Sequence, residues 1–179
     1  MLKFIKLQEK HLEQVLNWRI KPEITRFMLT NVENDIEKQN KWFKKISKDP
    51  TCQYWIIQYN NNEIGLICLV DIDHVNKKCN IGYYIGEENY RIFAAVFLPY
   101  VYNHVFFKMN FNKINGEVIE SNKAILKIHA MHGYRQVGKY DKHFLKDGQF
   151  QDVIVVELMK ERWNSYKKKY KNCWIEFET

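Results

Sequence analysis

The side chains able to move protons or hold charge lie at intervals along most of the chain. His129 sits with Ile125, Ile128 and His132 at helical spacing. A histidine of ordinary pKa, near about 6.5, exchanges a proton readily at neutral pH; the same spacing also describes an imidazole simply packed on a helix face. Glu117, Asp71, His74 and Tyr83 fall on strands or turns and could each serve as a general base, with none singled out by spacing. Arg19 and Arg91 are candidates for gripping a phosphate. Asn122 could help cap a helix beside Ser121. Cys52, Cys68, Cys79 and Cys173 are far apart, with no C-x-x-C pair and no histidine at metal-ligand spacing, so reduced, buried thiols and no metal are expected.

These residues need a scaffold, and 179 residues with 46% apolar and 15% aromatic side chains suffice for one core. No apolar stretch approaches the roughly 18 residues of a membrane helix, and lysines interrupt the apolar start, so a cytoplasmic, unprocessed protein with no membrane partner is expected. The formal charge is +7. Residues 159–179 contribute six basic and three acidic side chains, a net +3, which leaves +4 elsewhere. A solvated basic helix end explains Lys167-Lys168-Lys169-Tyr170-Lys171 more cheaply than nucleic-acid binding, and a mildly positive field would equally suit a small polyphosphate-bearing ligand, so charge alone decides nothing.

With few glycines and prolines and no repeat, everything before the tail reads as one domain, residues 1–158, followed by a basic, aromatic extension over 159–179. Residues 2–7 predict a strand and 9–20 a helix ending before Pro22. A short helix follows near Pro22–Met28, then one from Asp35 to Ile46 with Ile36, Phe43 and Ile46 inward. Strands at Cys52–Tyr59, Glu63–Asp71 and Lys78–Ile85, joined by polar turns, suggest an antiparallel meander. A helical stretch to about Phe107, a strand at Lys113–Ile119, a helix over Ser121–His132, and strands near Tyr134–Phe144 and Gln149–Leu158 complete the order. The last two meet at Lys146-Asp147-Gly148, a strong turn signal. The fold class is α+β, a mixed, mostly antiparallel sheet flanked by helices, with one parallel crossover through the helix after the third meander strand. In the tail, Trp163, Tyr166, Tyr170 and Trp174 form a helical stripe that docks on the body or on a second subunit, which would make a homodimer.

That order, with Glu117-Val118-Ile119-Glu120-Ser121-Asn122 followed by Ile125, Ile128, His129 and Gly133-Tyr134, resembles the GNAT superfamily of acyltransferases. Trp18-Arg19-x-x-Pro22-x-Ile24-x-x-Phe27-Met28-x-Thr30, Ile64-Gly65 and Lys146–Val153 are similar to the N-acetyltransferases of pseudaminic acid biosynthesis. The resemblance implies transfer of acetyl from acetyl-CoA to the 4-amino group of a UDP-linked 4-amino-4,6-dideoxy sugar, without a metal.

On that reading the strand Asn80-Ile81-Gly82-Tyr83-Tyr84-Ile85 pairs with the pantetheine arm, and an amide near Tyr84 faces the thioester oxygen. The pyrophosphate falls on Asn89-Tyr90-Arg91-Ile92-Phe93-Ala94, where only Ala94 fits the family loop cleanly, Ile92 replaces a glycine, and Arg91 could compensate. Pro99 departs from a regular helix. His129 takes the place of the tyrosine that protonates the CoA thiolate, and Asn122 contacts the cofactor. Glu117 is a candidate base, and Arg19, Phe27, Met28 and His74 line the acceptor side. Competing readings are a ribosomal or other protein N-acetyltransferase and a non-catalytic CoA- or sugar-binding module.

Overall fold

The computed structural model describes residues 1–179. Seven strands, β1 (Leu2–Lys6), β2 (Gln53–Tyr59), β3 (Asn62–Asp73), β4 (Lys78–Ile85), β5 (Lys113–Ile119), β6 (Arg135–Lys146) and β7 (Gln149–Met159), form one sheet in the order β1-β2-β3-β4-β5-β7-β6. Every pair is antiparallel except β4 with β5. The two hairpin turns that polar residues mark in the sequence carry consecutive left-handed residues, Asn60 and Asn61 at φ 49° and 67°, and Asp147 and Gly148 at 48° and 77°. Paired positive φ values match the twist of the flanking strands.

Helices α1 (Leu12–Arg19), α2 (Pro22–Thr25) and α3 (Ile36–Ile46) cover one face. Asp35 caps α3 by accepting from the amides of Glu37 and Lys38 at 2.9 and 3.0 Å. Of its expected inward residues Phe43 and Ile46 pack against the smaller cluster, whereas Ile36 stays exposed and Gln39 is buried instead, with Trp42 edge-on to Tyr54. The smaller apolar cluster here contains Leu12, Val15, Trp18, Ile56 and Leu66.

The larger cluster lies on the other face, under α4 (Ala94–Asn103) and α5 (Lys123–Met131). A 3-10 turn at Glu88–Phe93 runs directly into α4, and a π-helical turn at His104–Lys108 extends it. Pro99 therefore lies inside the helix. Its missing N–H leaves the Ala95 carbonyl without an i to i−4 partner, and the buried His132 ring faces that carbonyl. Asn122, not Ser121, is the cap of α5, its Oδ1 accepting from the Ile125 amide at 3.4 Å.

The tail docks on the body. After α6 (Lys160–Tyr166) and a 3-10 turn to Tyr170 it continues without regular structure, so the helical stripe ends before Trp174. Trp163 is fully buried and donates to Asn103 Oδ1 at 2.8 Å, and Tyr170 stacks on its ring. Phe177 stacks on Phe4 of β1 with centroids 4.2 Å apart.

Candidate functional site

β4 and β5 are paired over only three positions, Lys78 with Lys113, Cys79 with Ile114 and Asn80 with Asn115. Beyond them the strands separate, and Ile81–Ile85 has a neighbour only in β3. Backbone groups on the open side thus lack the ladder partners that a continuous sheet would supply.

Register decides which amides these are. The Gly86 amide bonds the Ile64 carbonyl at 2.8 Å, and Tyr84 pairs with Leu66 in the same ladder. Antiparallel alternation then points even-numbered residues at β3 and turns the amides of Tyr83 and Ile85 toward the opening. The free amides are therefore the two that flank Tyr84, and its own amide turns into the β3 ladder. The Tyr84 side chain has a different place, on the α1–α3 face, where its hydroxyl approaches the Val15 carbonyl at 3.4 Å.

Side chains of alternate β4 residues reach opposite faces. Tyr83 lies on the α4–α5 side, edge-on to Phe97, with its oxygen 3.5 Å from His129 Nε2. His129 is buried and stacked on Tyr134 at 4.5 Å, and its Nδ1 has no partner. Burial, reinforced by His132, lowers its pKa from 6.5 to about 4. The ordinary value expected from sequence is therefore corrected: the ring is neutral at pH 7. Burial likewise holds the Tyr83 hydroxyl protonated well above the usual tyrosine range.

On the opposite face a cleft of about 440 Å³ is lined by Arg19, Met28, Thr30, Gln39, Trp42, Tyr54 and Tyr84, among others. Arg19 is 9% exposed and has no carboxylate partner. It donates through Nη2 to the Thr30 carbonyl and hydroxyl, both at 2.7 Å, and through Nη1 to the Thr25 hydroxyl at 3.3 Å. A guanidinium carries five N–H groups, so two remain without a protein acceptor. Lys146, at the tip of the β6–β7 hairpin, crosses to the same loop and donates to Met28 O and Asn31 Oδ1 at 3.2 and 2.9 Å. Trp18 fixes α1 to the end of β4: its ring fills the space of a Cβ at Gly86, and Nε1 donates to Glu87 at 2.7 Å.

Glu117 stands exposed on β5, on the α1–α3 side of the opening and free of ion pairs. The other expected residues divide. Asp71 accepts from Asn80 Nδ2 at 2.7 Å. Arg91 is held at the surface by Glu23 and Glu88, at 3.0 and 3.4 Å, beside an Ile92 that is 80% exposed. Phe27 does not line the cleft; its ring lies under the Arg26 guanidinium at 4.5 Å. His74 is also corrected. It precedes β4, at the end where β4 and β5 remain paired, and lines a separate groove of about 760 Å³ against the tail. Trp42, Tyr54, Gln39 and Lys146 were not anticipated; Gln39 and Trp42 at i, i+3 were the one available signal.

A mixed sheet opened between two parallel neighbours, with a cleft on one face of the opening and a buried tyrosine–histidine pair on the other, defines an acyltransferase architecture. Residues 2–135 match the family model described as an acetyltransferase (GNAT) domain. The chain belongs to the GNAT acetyltransferases and is an acyltransferase enzyme. It is 24% identical over 131 residues to acetyltransferase PseH of Campylobacter jejuni, spanning 73% of this chain and 81% of that protein. It is also 24% identical over 111 residues to the putative ribosomal N-acetyltransferase YdaF of Bacillus subtilis, over 61% of this chain and 60% of that one. Among solved structures, the Vibrio cholerae spermidine N-acetyltransferase in complex with CoA and spermine superposes with a TM-score of 0.85 at 17% identity, covering 91% of this chain and 98% of that one. This last likeness concerns the fold.

Proposed function

We propose that the protein transfers acetyl from acetyl-CoA to the amino group of a nucleotide-linked amino sugar, by direct attack in a ternary complex. The observation that carries this reading is the Arg19 guanidinium, buried at the cleft without a carboxylate and with two N–H groups unspent. An acceptor bearing a diphosphate supplies the missing anion. Met28, Trp42 and Tyr54 give the cleft apolar walls for a deoxy sugar or a base. Similarity to PseH supports the same acceptor class.

In this reading the pantetheine arm lies in the β4–β5 opening, where the Tyr83 and Ile85 amides can bond it and one of them can stabilise the developing oxyanion. The pyrophosphate lies near Arg91, Ile92, Phe93 and Ala94 at the start of α4. Arg91 takes part by leaving its exposed glutamates, at a cost of about 1 kcal/mol or less. Asn122, whose Oδ1 caps α5, retains its amide nitrogen for the cofactor. Glu117 takes the proton of the attacking amine, directly or through water.

Thiol release from acetyl-CoA with three acceptors tests the assignment: a UDP-4-amino-4,6-dideoxy sugar, spermidine, and a peptide bearing a ribosomal-protein N-terminus. A kcat/KM at least 100-fold higher for the nucleotide sugar is expected. Preference for either other amine, or CoA binding with no turnover of any, overturns the acceptor assignment.

A further inference from the structure

The GNAT reaction requires a proton for the sulfur that departs from the thioester, and two side chains on the α4–α5 face of the opening bear on it. Tyr83 and His129 meet at 3.5 Å, and Tyr83 has no other side-chain partner. His129 is wedged between Tyr83 and Tyr134, with Nδ1 buried and unpartnered. A buried N–H without an acceptor costs more than a bare ring lone pair, which favours the tautomer with its proton on Nε2. Nε2–H then donates to the Tyr83 oxygen, and the hydroxyl hydrogen of Tyr83 is free to turn toward the opening. The same residue directs its backbone amide there.

We infer that Tyr83, not His129, protonates the departing thiolate, and that His129 is a positioning residue that donates Nε2–H to the tyrosine oxygen. This rests on acetyl-CoA being the acyl donor. The amine nitrogen bonds the thioester carbon, and as the C–S bond breaks its electron pair stays on sulfur. The Tyr83 Oη–H proton passes to that sulfur, giving the free thiol. The tyrosinate, held by Nε2–H of His129, recovers a proton from solvent, into which the amine's own proton is released. Neutrality of His129 at pH 7 agrees with this division, since little imidazolium is present to act as acid.

The test compares Tyr83→Phe, His129→Phe and His129→Gln with the unaltered enzyme, using any amine that the latter acetylates, so that a wrong acceptor assignment shows separately as absence of nucleotide-sugar turnover. Acetyl-CoA affinity by calorimetry and thermal melting verify that each variant is folded. With acetyl-CoA, Tyr83→Phe is expected to lower kcat by about 100-fold or more at little change in KM. His129→Phe should cost about 10-fold, with partial recovery in His129→Gln, whose amide still donates. With the acetyl thioester of 4-nitrothiophenol, whose thiolate leaves without a proton, the Tyr83→Phe deficit should shrink to within about 3-fold. A Tyr83→Phe enzyme within about 3-fold of normal with acetyl-CoA, a deficit equal for both donors, or a His129→Phe loss exceeding that of Tyr83→Phe overturns the inference.

Discussion

Replacing Arg19 by methionine tests its proposed contact with the acceptor. The substitution keeps a long apolar stem but removes a guanidinium that makes three hydrogen bonds to Thr25 and Thr30 and has two further N–H groups without a protein acceptor. Hydrogen bonds to charged groups contribute about 1.5–3 kcal/mol each, so loss of one phosphate contact raises the nucleotide-sugar KM by about 10- to 150-fold. On the proposed placement acetyl-CoA lies on the other side of the opening, and its KM should change less than about 2-fold. Folding stability should fall only modestly, because removing a buried charge with no carboxylate partner offsets part of the lost bonding. Steady-state kinetics with each substrate varied in turn, alongside urea unfolding, separate these effects. An unchanged nucleotide-sugar KM in a folded variant would exclude Arg19 as a phosphate contact, as would equal increases for both substrates.

Stability should depend on pH through His129 and His132, both lowered from 6.5 to about 4 by burial. The native state favours the neutral rings, so their contribution is complete above pH 6.5 and is lost as pH falls toward 4, about 3 kcal/mol from each histidine. Urea unfolding from pH 7 to pH 4 measures it, and a flat profile would contradict the burial argument. Trp163→Ala should destabilise the protein by about 3–5 kcal/mol, because the fully buried indole also bonds Asn103; a smaller effect in urea would mean the tail is dispensable. Gly86→Ala places a Cβ about 2.2 Å from the Trp18 ring, and the resulting overpacking, about 1–3 kcal/mol, should appear as a lowered melting temperature. Glu117→Gln should reduce kcat by about 100-fold at neutral pH with little change in acetyl-CoA affinity, and an unaltered kcat would remove Glu117 as the base.

The sequence made the order of elements legible where local chemistry sets it. Asn60-Asn61 and Asp147-Gly148 mark hairpins because few residue types tolerate their backbone angles, and the nearly continuous apolar runs Trp55–Tyr59 and Ile64–Val70 reflect strands buried on both faces. The candidate site was legible only in part. Arg19, Met28, Tyr83, Tyr84 and His129 do converge on the opening from its two sides. His74 and Phe27 do not, because the end of a strand and the direction of a loop side chain follow from tertiary packing. The identity of the free amides was also hidden, since it depends on strand register, set by pairing with β3. Lys146 reaches Met28 across 118 positions of sequence, a distance no local pattern encodes.

The activity proposed for this acetyltransferase is modification of an amine carried on a nucleotide sugar. Incubation with acetyl-CoA and a UDP-4-amino-4,6-dideoxy sugar, followed by mass spectrometry and NMR of the product, tests it directly. One acetyl group on the 4-amino nitrogen, formed in step with free CoA, is expected. Recovery of the unaltered sugar while the same enzyme acetylates a polyamine or a protein N-terminus would contradict it.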